Sequence, residues 1–343
     1  MGIAGLPEDG KDRMRAAVYY DGICGTDLHE WHDGANFHPK PGCPHPVSGL
    51  NLPLVIGHEF SGTIEKVGSS LEGKYKTGQK ICAQPDFGCG KCDVCKSGNR
   101  NVCQKMGFVG LSGPPGGLGQ YTVLKPENIH VLPNNISLDA GAMIEPLAVA
   151  WHATRKADVK AGDVCLVIGS GPIGAFVIRS LKAQGVKRII CAEPAKERQG
   201  IAKHSGADNI VNPTKEDVAE VCMKLTDGRG VDVAFDAAGL PNGATLNMAV
   251  KCTRSLGQIT NIAIYGAPVN FDLHALYMGE KTLNGIIGYT AQDFKDVIQA
   301  VSDGRIECED LCTARIQLDN LVEGGFKELI NNKETHVKIL VKH

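Results

Sequence analysis

Val164-Cys165-Leu166-Val167-Ile168-Gly169-Ser170-Gly171-Pro172-Ile173-Gly174 decides the fold. Five consecutive apolar residues read as a strand buried on both faces. They run straight into Gly-x-Gly-x-x-Gly, and Ile173 to Ala183 continues with a helical pattern. Strand, glycine turn and helix, in that order, are the context in which this pattern binds a dinucleotide. Gly169 permits the tight turn, Gly171 lets the backbone approach a pyrophosphate, and Gly174 lets helix and strand pack closely. The helix that opens at Pro172 and Ile173 offers free N–H groups and a positive dipole end to the phosphates. Glu193 closes the next strand, Arg188 to Ala192, 193 − 174 = 19 residues after the last glycine. A carboxylate there accepts from ribose hydroxyls and repels a 2′-phosphate, so NAD is expected over NADP.

Downstream, Val231 to Phe235 and Gln258 to Ala263 read as further strands, each preceded by a helical stretch. Such alternation predicts an α/β, doubly wound parallel sheet of the Rossmann type. Upstream the texture differs. Residues 54–135 show short apolar runs broken by glycine, such as Gly62-Thr63-Ile64-Glu65-Lys66-Val67-Gly68, an all-β pattern. Residues 36–53 carry five prolines and read as a long ordered loop, and residues 1–13 are polar and look loose. Arg15 to Tyr20 alternate as a strand, with Ala16, Val18 and Tyr20 on one face. From about 290 come two helical stretches and a last strand, Val337 to Val341. The length, 343 residues against about 150 per domain, fits two domains.

Composition excludes several classes. Apolar residues make up 43% and charged residues 22%, with a net charge of −2, so there is no electrostatic footprint for nucleic acid. No run reaches the ~18 apolar residues of a spanning helix. Met1 to Arg15 contains Glu8, Asp9 and Asp12, which fits neither a signal nor a transit peptide, so the cytosol is expected. Thirteen cysteines is an odd count for a disulfide framework and favours metal binding or burial.

Cys89-x2-Cys92-x2-Cys95-x7-Cys103 places four thiols in fifteen residues. Four sulfurs suit the closed tetrahedron of a structural zinc. An iron–sulfur cluster is the rival, but the ferredoxin run ends in x3 and proline. Gly22-Ile23-Cys24-Gly25-Thr26-Asp27-Leu28-His29 and Gly57-His58-Glu59 are candidates for a second, catalytic zinc, which needs about three protein ligands and an open position. Taken singly, each of these residues is also compatible with plain packing.

These motifs, with Glu145-Pro146 and the dinucleotide turn, make the chain similar to the zinc-dependent medium-chain alcohol and polyol dehydrogenases over roughly residues 15–343. The branch it most resembles is that of the (R,R)-2,3-butanediol dehydrogenases, through Thr26-Asp27-Leu28-His29-Glu30-Trp31, Pro44-His45-Pro46 and Leu54 to Gly62. The resemblance implies a GroES-like β catalytic domain, residues 1–145 and 290–343, and a Rossmann NAD-binding domain, residues 146–289. It implies Cys24, His58 and Glu145 around a catalytic zinc, with Glu59 a direct or exchangeable ligand, and a structural zinc on Cys89, Cys92, Cys95 and Cys103. Thr26 would accept the substrate proton and His29 would be the exit of the relay. Ile262, Ala263 and Ile286 would lie along the nicotinamide, and Arg198 near the adenosine ribose. A homo-oligomer, dimer or tetramer, is implied as well.

Two departures stand out. Gly288 occupies a position where the sorbitol-type branch often has arginine, which favours a small diol or hydroxyketone over a long polyol. Met14 to Tyr20 also runs directly into the cysteine motif, where the family has two further strands. Residues 15–20 are therefore expected to replace the strand that delivers Cys24, leaving the first strand slot empty and an edge unpaired. The alternatives are a polyol or L-threonine 3-dehydrogenase, or a catalytically impaired NAD- and zinc-binding relative.

Overall fold

The computed structural model describes residues 10–32, 34 and 37–343. The chain divides into two units, one of residues 1–145 and 289–343 and one of residues 146–288.

In the first unit the order is β1 (Met14–Gly22), α1 (Gly25–His32), β2 (Glu59–Val67), β3 (Lys80–Ala83), β4 (Asp86–Phe87), α2 (Asp93–Lys96), β5 (Gly107–Phe108), β6 (Tyr121–Leu124) and β7 (Ile129–Val131). Helix α3 (Leu138–Lys156) carries the chain into the second unit. The second unit holds β8 (Val164–Ile168), α4 (Pro172–Ala183), β9 (Arg188–Ala192), α5 (Lys196–Ser205), β10 (Asn209–Val211), α6 (Val218–Leu225), β11 (Val231–Asp236), α7 (Ala244–Cys252), β12 (Thr253–Asn261), α8 (Leu273–Tyr277) and β13 (Thr282–Gly285). The first unit is completed by α9 (Ala291–Ser302), β14 (Cys312–Gln317), α10 (Glu328–Asn331) and β15 (Lys338–Lys342).

Strand β1 organises the first unit. Its burial alternates from Met14 to Tyr19, and Met14, Ala16 and Val18 join Phe60, Ile64 and Ile81 in the core; Tyr20, expected on the same face, leaves it because the register against β2 shifts by one residue between Val18 and Tyr20. Fully burying each large aliphatic side chain contributes about 1.5–3 kcal/mol. On one side β1 pairs along its length with β2; on the other it pairs first with β6 and then with β15. The expected unpaired edge is therefore not on β1, because a single nine-residue strand meets two partners in succession on that side. The register sets Gly22 opposite Glu59, so the chain leaves β1 for Cys24 beside the His58-Glu59 pair. Of the polar segment read as loose, residues 1–9 lie outside the described residues. Gly10 to Arg13 form a turn closed by Arg13 N–H to the Gly10 carbonyl at 3.0 Å, with Ser70 N–H donating to Lys11. The proline-rich loop has no regular element, yet it is tied down. His45 Nε2 meets the Met106 carbonyl at 3.1 Å, and Ser48 Oγ donates to the Ser112 carbonyl at 2.6 Å.

The second unit is a six-stranded parallel sheet in the order β10-β9-β8-β11-β12-β13. That is the doubly wound order, with its switch point between β8 and β11. All five residues of β8 are buried, which accounts for an unbroken apolar run rather than an alternating one. Strand β12 begins at Thr253, five residues earlier than the sequence pattern suggests. Its first half carries Arg254, Ser255 and a solvent-facing Leu256, so no apolar run marks it.

Candidate active site and metal centres

The dinucleotide motif occupies the turn from β8 to α4. Gly169 has φ +87°, a conformation that favours glycine. A Cβ on Gly174 would strike the Gly169 carbonyl, so the turn itself excludes larger residues there. A Cβ on Gly171 would meet only Arg198 Nη1, at 3.7 Å, which leaves open backbone beside a cation where a pyrophosphate fits. Glu193 ends β9 with its carboxylate buried. It accepts from Ser170 N–H at 2.9 Å, Ser170 Oγ at 3.2 Å and Ala195 N–H at 2.9 Å, which fixes a negative charge against the turn. Ile262 and Ala263 follow the end of β12, and both N–H groups donate to the Asp236 carbonyl. Ile286 follows the end of β13 and donates to the Asn261 carbonyl at 2.9 Å. All three thus lie at the carboxyl ends of the strands, where open α/β sheets bind their ligands.

The four sulfurs of Cys89, Cys92, Cys95 and Cys103 lie within 4.8 Å of one another. Cys92 Sγ and Cys103 Sγ are 3.8 Å apart. Zn–S bonds of 2.3 Å arranged tetrahedrally require S···S edges of about 3.8 Å, so the donor set fits zinc. Backbone N–H groups of Lys91 and Cys92 pull the Cys89 thiol down to about 6, toward the thiolate that a metal needs. The lobe is anchored by Arg100, whose guanidinium holds Asp86 with bonds of 2.7 and 3.1 Å. All thirteen cysteines are free.

A second donor cluster joins Cys24, His58 and Glu59, whose ligand atoms also lie within 4.8 Å of one another. The shortened approach from β1 therefore still brings Cys24 to the His-Glu pair. Asp27 organises the cluster: its Oδ2 accepts Cys24 N–H at 2.9 Å and its Oδ1 faces His58 Nδ1 at 3.3 Å. Burial alone would pull the His58 imidazole down, but Asp27 and Cys24 raise it well above its ordinary value. The cluster attracts positive charge, and a divalent cation is chemically suited to supply it.

Glu59 is held by Lys338, whose ammonium donates to Glu59 Oε2 at 2.5 Å and to the Ile23 carbonyl at 3.0 Å. Lys338 is buried on β15; desolvation pulls it down, yet Glu59 and Cys24 raise it above its ordinary value and keep it charged. A Cβ on Gly22 would strike Glu59 Oε2, so glycine is required where β1 passes the carboxylate. Glu145, which the resemblance puts around the same zinc, is buried nearby and feels the charges of His58 and Glu59. It lies outside the three-residue cluster, and its Oε1 instead accepts the Tyr289 hydroxyl at 2.6 Å. Burial, then Glu59, push the Glu145 carboxyl up, to about 7 overall. Thr26 Oγ1 stands 3.7 Å from Cys24 Sγ, and exposed His29 lies one turn on along the same face of α1. The sequence alone does not single out Asp27, Lys338 or Tyr289. Asp27 reads as part of the Gly-Thr-Asp motif, and the other two carry no local signal.

Fold and donor sets have the form of a zinc-binding dehydrogenase. Residues 10–134 match the alcohol dehydrogenase GroES-like domain family, and residues 172–303 match the zinc-binding dehydrogenase family. The chain belongs to the zinc-dependent medium-chain alcohol dehydrogenases, a family of oxidoreductases acting on CH–OH donors. It is 39% identical over 325 residues to (R,R)-butanediol dehydrogenase of Neisseria gonorrhoeae, covering 94% of this chain and 90% of that one. It is 36% identical over 351 residues to (R,R)-butanediol dehydrogenase of Saccharomyces cerevisiae, covering 96% and 91%. The crystal structure of 2R,3R-butanediol dehydrogenase from Bacillus subtilis superposes with a TM-score of 0.92 at 37% identity, covering 100% of this chain and 95% of that one.

Proposed function

We propose that this chain is an NAD-dependent zinc alcohol dehydrogenase that interconverts a vicinal diol and its 2-hydroxyketone, 2,3-butanediol and acetoin first. The observation that carries the reading is the Cys24, His58 and Glu59 cluster, in a chain whose 36–39% identical relatives are butanediol dehydrogenases. When bound, zinc supplies a Lewis acid that eases loss of the alcohol proton, and NAD supplies the hydride acceptor. The chain's own residues do the rest. Asp27 orients His58 and caps the Cys24 backbone, and Lys338 fixes Glu59 relative to the Cys24 segment. The Thr26 hydroxyl would accept the substrate proton while passing its own onward, and exposed His29 would be the exit of that relay to water. Gly169, Gly171, Pro172, Ile173, Gly174 and Arg198 hold the dinucleotide, with Glu193 selecting the free 2′-hydroxyl. Glycine at 288 leaves no cation for a long polyol.

The test is NADH formation from a panel of 2,3-butanediol stereoisomers, sorbitol, xylitol and L-threonine. Fastest turnover of a butanediol supports the reading, and faster turnover of sorbitol or threonine overturns it. No helix among the described residues is long and apolar enough to cross a membrane. The cytosol is proposed as the compartment because thirteen free thiols suit a reducing one. A homo-oligomer is proposed because Leu256, Tyr277 and Met278 are 68%, 58% and 66% exposed on a unit whose edge strand is β13; light scattering checks it.

A further inference from the structure

The two carboxylates at the candidate metal site are held by different partners, and both partners come from the returning segment after residue 288. Glu59 belongs to the donor cluster with Cys24 and His58, whereas Glu145 does not. Glu145 lies on α3 with its carboxyl buried, and its Oε1 is tied to the Tyr289 hydroxyl at 2.6 Å. Tyr289 cannot move aside: it is fully buried, and its ring packs edge-on against Phe294 at 5.2 Å. Phe294 is also fully buried and stacks on His130 at 4.9 Å. A phenol has one proton to donate, and here it goes to Glu145 Oε1, which fixes the carboxyl at its present distance from the cluster.

Four protein ligands close a zinc site and make it structural, whereas three leave a position for substrate. We propose that Tyr289 is a positioning residue that holds Glu145 out of the metal's coordination sphere, so that Cys24, His58 and Glu59 are the resting donors and one position stays open. The inference rests on the zinc reading above. Removing the hydroxyl frees Glu145 to become a fourth ligand, which tightens the site and blocks it.

The experiment follows zinc release to a chelator, and cobalt absorption after zinc replacement, in the full-length protein. The parent should release two ions per chain. Tyr289→Phe, which keeps the ring and its packing, should slow release of the ion outside the four-cysteine lobe by about tenfold or more, within the range that outer partners of ligands exert. It should also change the cobalt spectrum and lower kcat. Adding Glu145→Gln to Tyr289→Phe should return release rate and spectrum to parental values. Glu145→Gln alone, which does not depend on the phenol, should retain both ions. Unchanged release and spectrum in Tyr289→Phe, a slowing that Glu145→Gln fails to reverse, or loss of an ion in Glu145→Gln would overturn the proposal while leaving the zinc reading intact. A parent that holds one ion only refutes the zinc reading and this inference together.

Discussion

Lys338→Met should strongly destabilise the catalytic unit. Lys338 and Glu59 are 2% and 1% exposed at their side chains, so neither charge has water to fall back on. The ammonium bridges Glu59 Oε2 at 2.5 Å and the Ile23 carbonyl at 3.0 Å. Methionine keeps most of the aliphatic volume and removes the charge. It leaves a buried carboxylate without its counter-ion and a buried carbonyl without its donor. Breaking a buried pair from one side costs about 3–5 kcal/mol. At roughly 2–4 °C per kcal/mol for a unit of this size, the melting temperature should fall by roughly 6–20 °C. The loss should be greatest in metal-stripped protein, where no ion is left to neutralise Glu59. Urea and thermal unfolding of the parent, Lys338→Met, Glu59→Gln and the double variant measure it. The double variant should be more stable than Lys338→Met alone, because glutamine leaves no charge to strand, and the cycle should give a coupling above about 1 kcal/mol. A Lys338→Met loss below about 1 kcal/mol, or an additive cycle, would mean that this ammonium does not neutralise Glu59.

Asp21→Ala should stabilise the protein by about 1–2 kcal/mol in the same assays, because both Asp21 oxygens are buried without a hydrogen-bond partner and such groups cost about 1–3 kcal/mol; a lower melting temperature would refute this. His130 yields a pH dependence. Burial, then Lys295 and Arg100, lower its pKa from 6.5 to about 4, so the unfolded chain binds a proton below pH 6.5 that the folded chain refuses until about 4. Its contribution is intact above pH 6.5 and falls by about 3 kcal/mol as pH drops through that window; His130→Gln should remove this part of the slope, and an identical slope would exclude His130 as its source. Glu193→Ala should raise kcat/KM with NADP relative to NAD, since it removes the carboxylate fixed against the glycine turn; equal use of both cofactors by the parent would sink the assignment.

What the sequence discloses depends on how far apart in the chain the interacting parts lie. The glycine turn, its strand, its helix and Glu193 are neighbours in one βαβ unit, so their order alone implies the parallel sheet and the carboxyl end of β9. The four-cysteine lobe is legible for the same reason, because all its sulfurs fall between residues 89 and 103. The second cluster is harder, since Cys24 and His58 meet only through the register of β1 against β2. Residues Lys338 and Tyr289 lie beyond any local reading: Lys338 is 279 residues from Glu59, and Tyr289 is 144 from Glu145. A lysine in a closing apolar strand and a tyrosine after a glycine are ordinary on their own. Only their burial beside a carboxylate gives them a role, and burial is a property of the folded chain. Asp21 makes the converse point. Strand periodicity puts it on the face opposite Tyr20, which on this strand had been the outward one. A register shift between Val18 and Tyr20 breaks the alternation and sets Asp21 opposite the core residue Phe60, so its carboxylate turns to the core side, where a Cβ on Gly57 or Gly117 would meet it. Periodicity tells which side a residue takes only while the register holds; one extra residue in the strand exchanges the sides, and where that residue falls is set by the pairing with β2, about forty residues further along the chain.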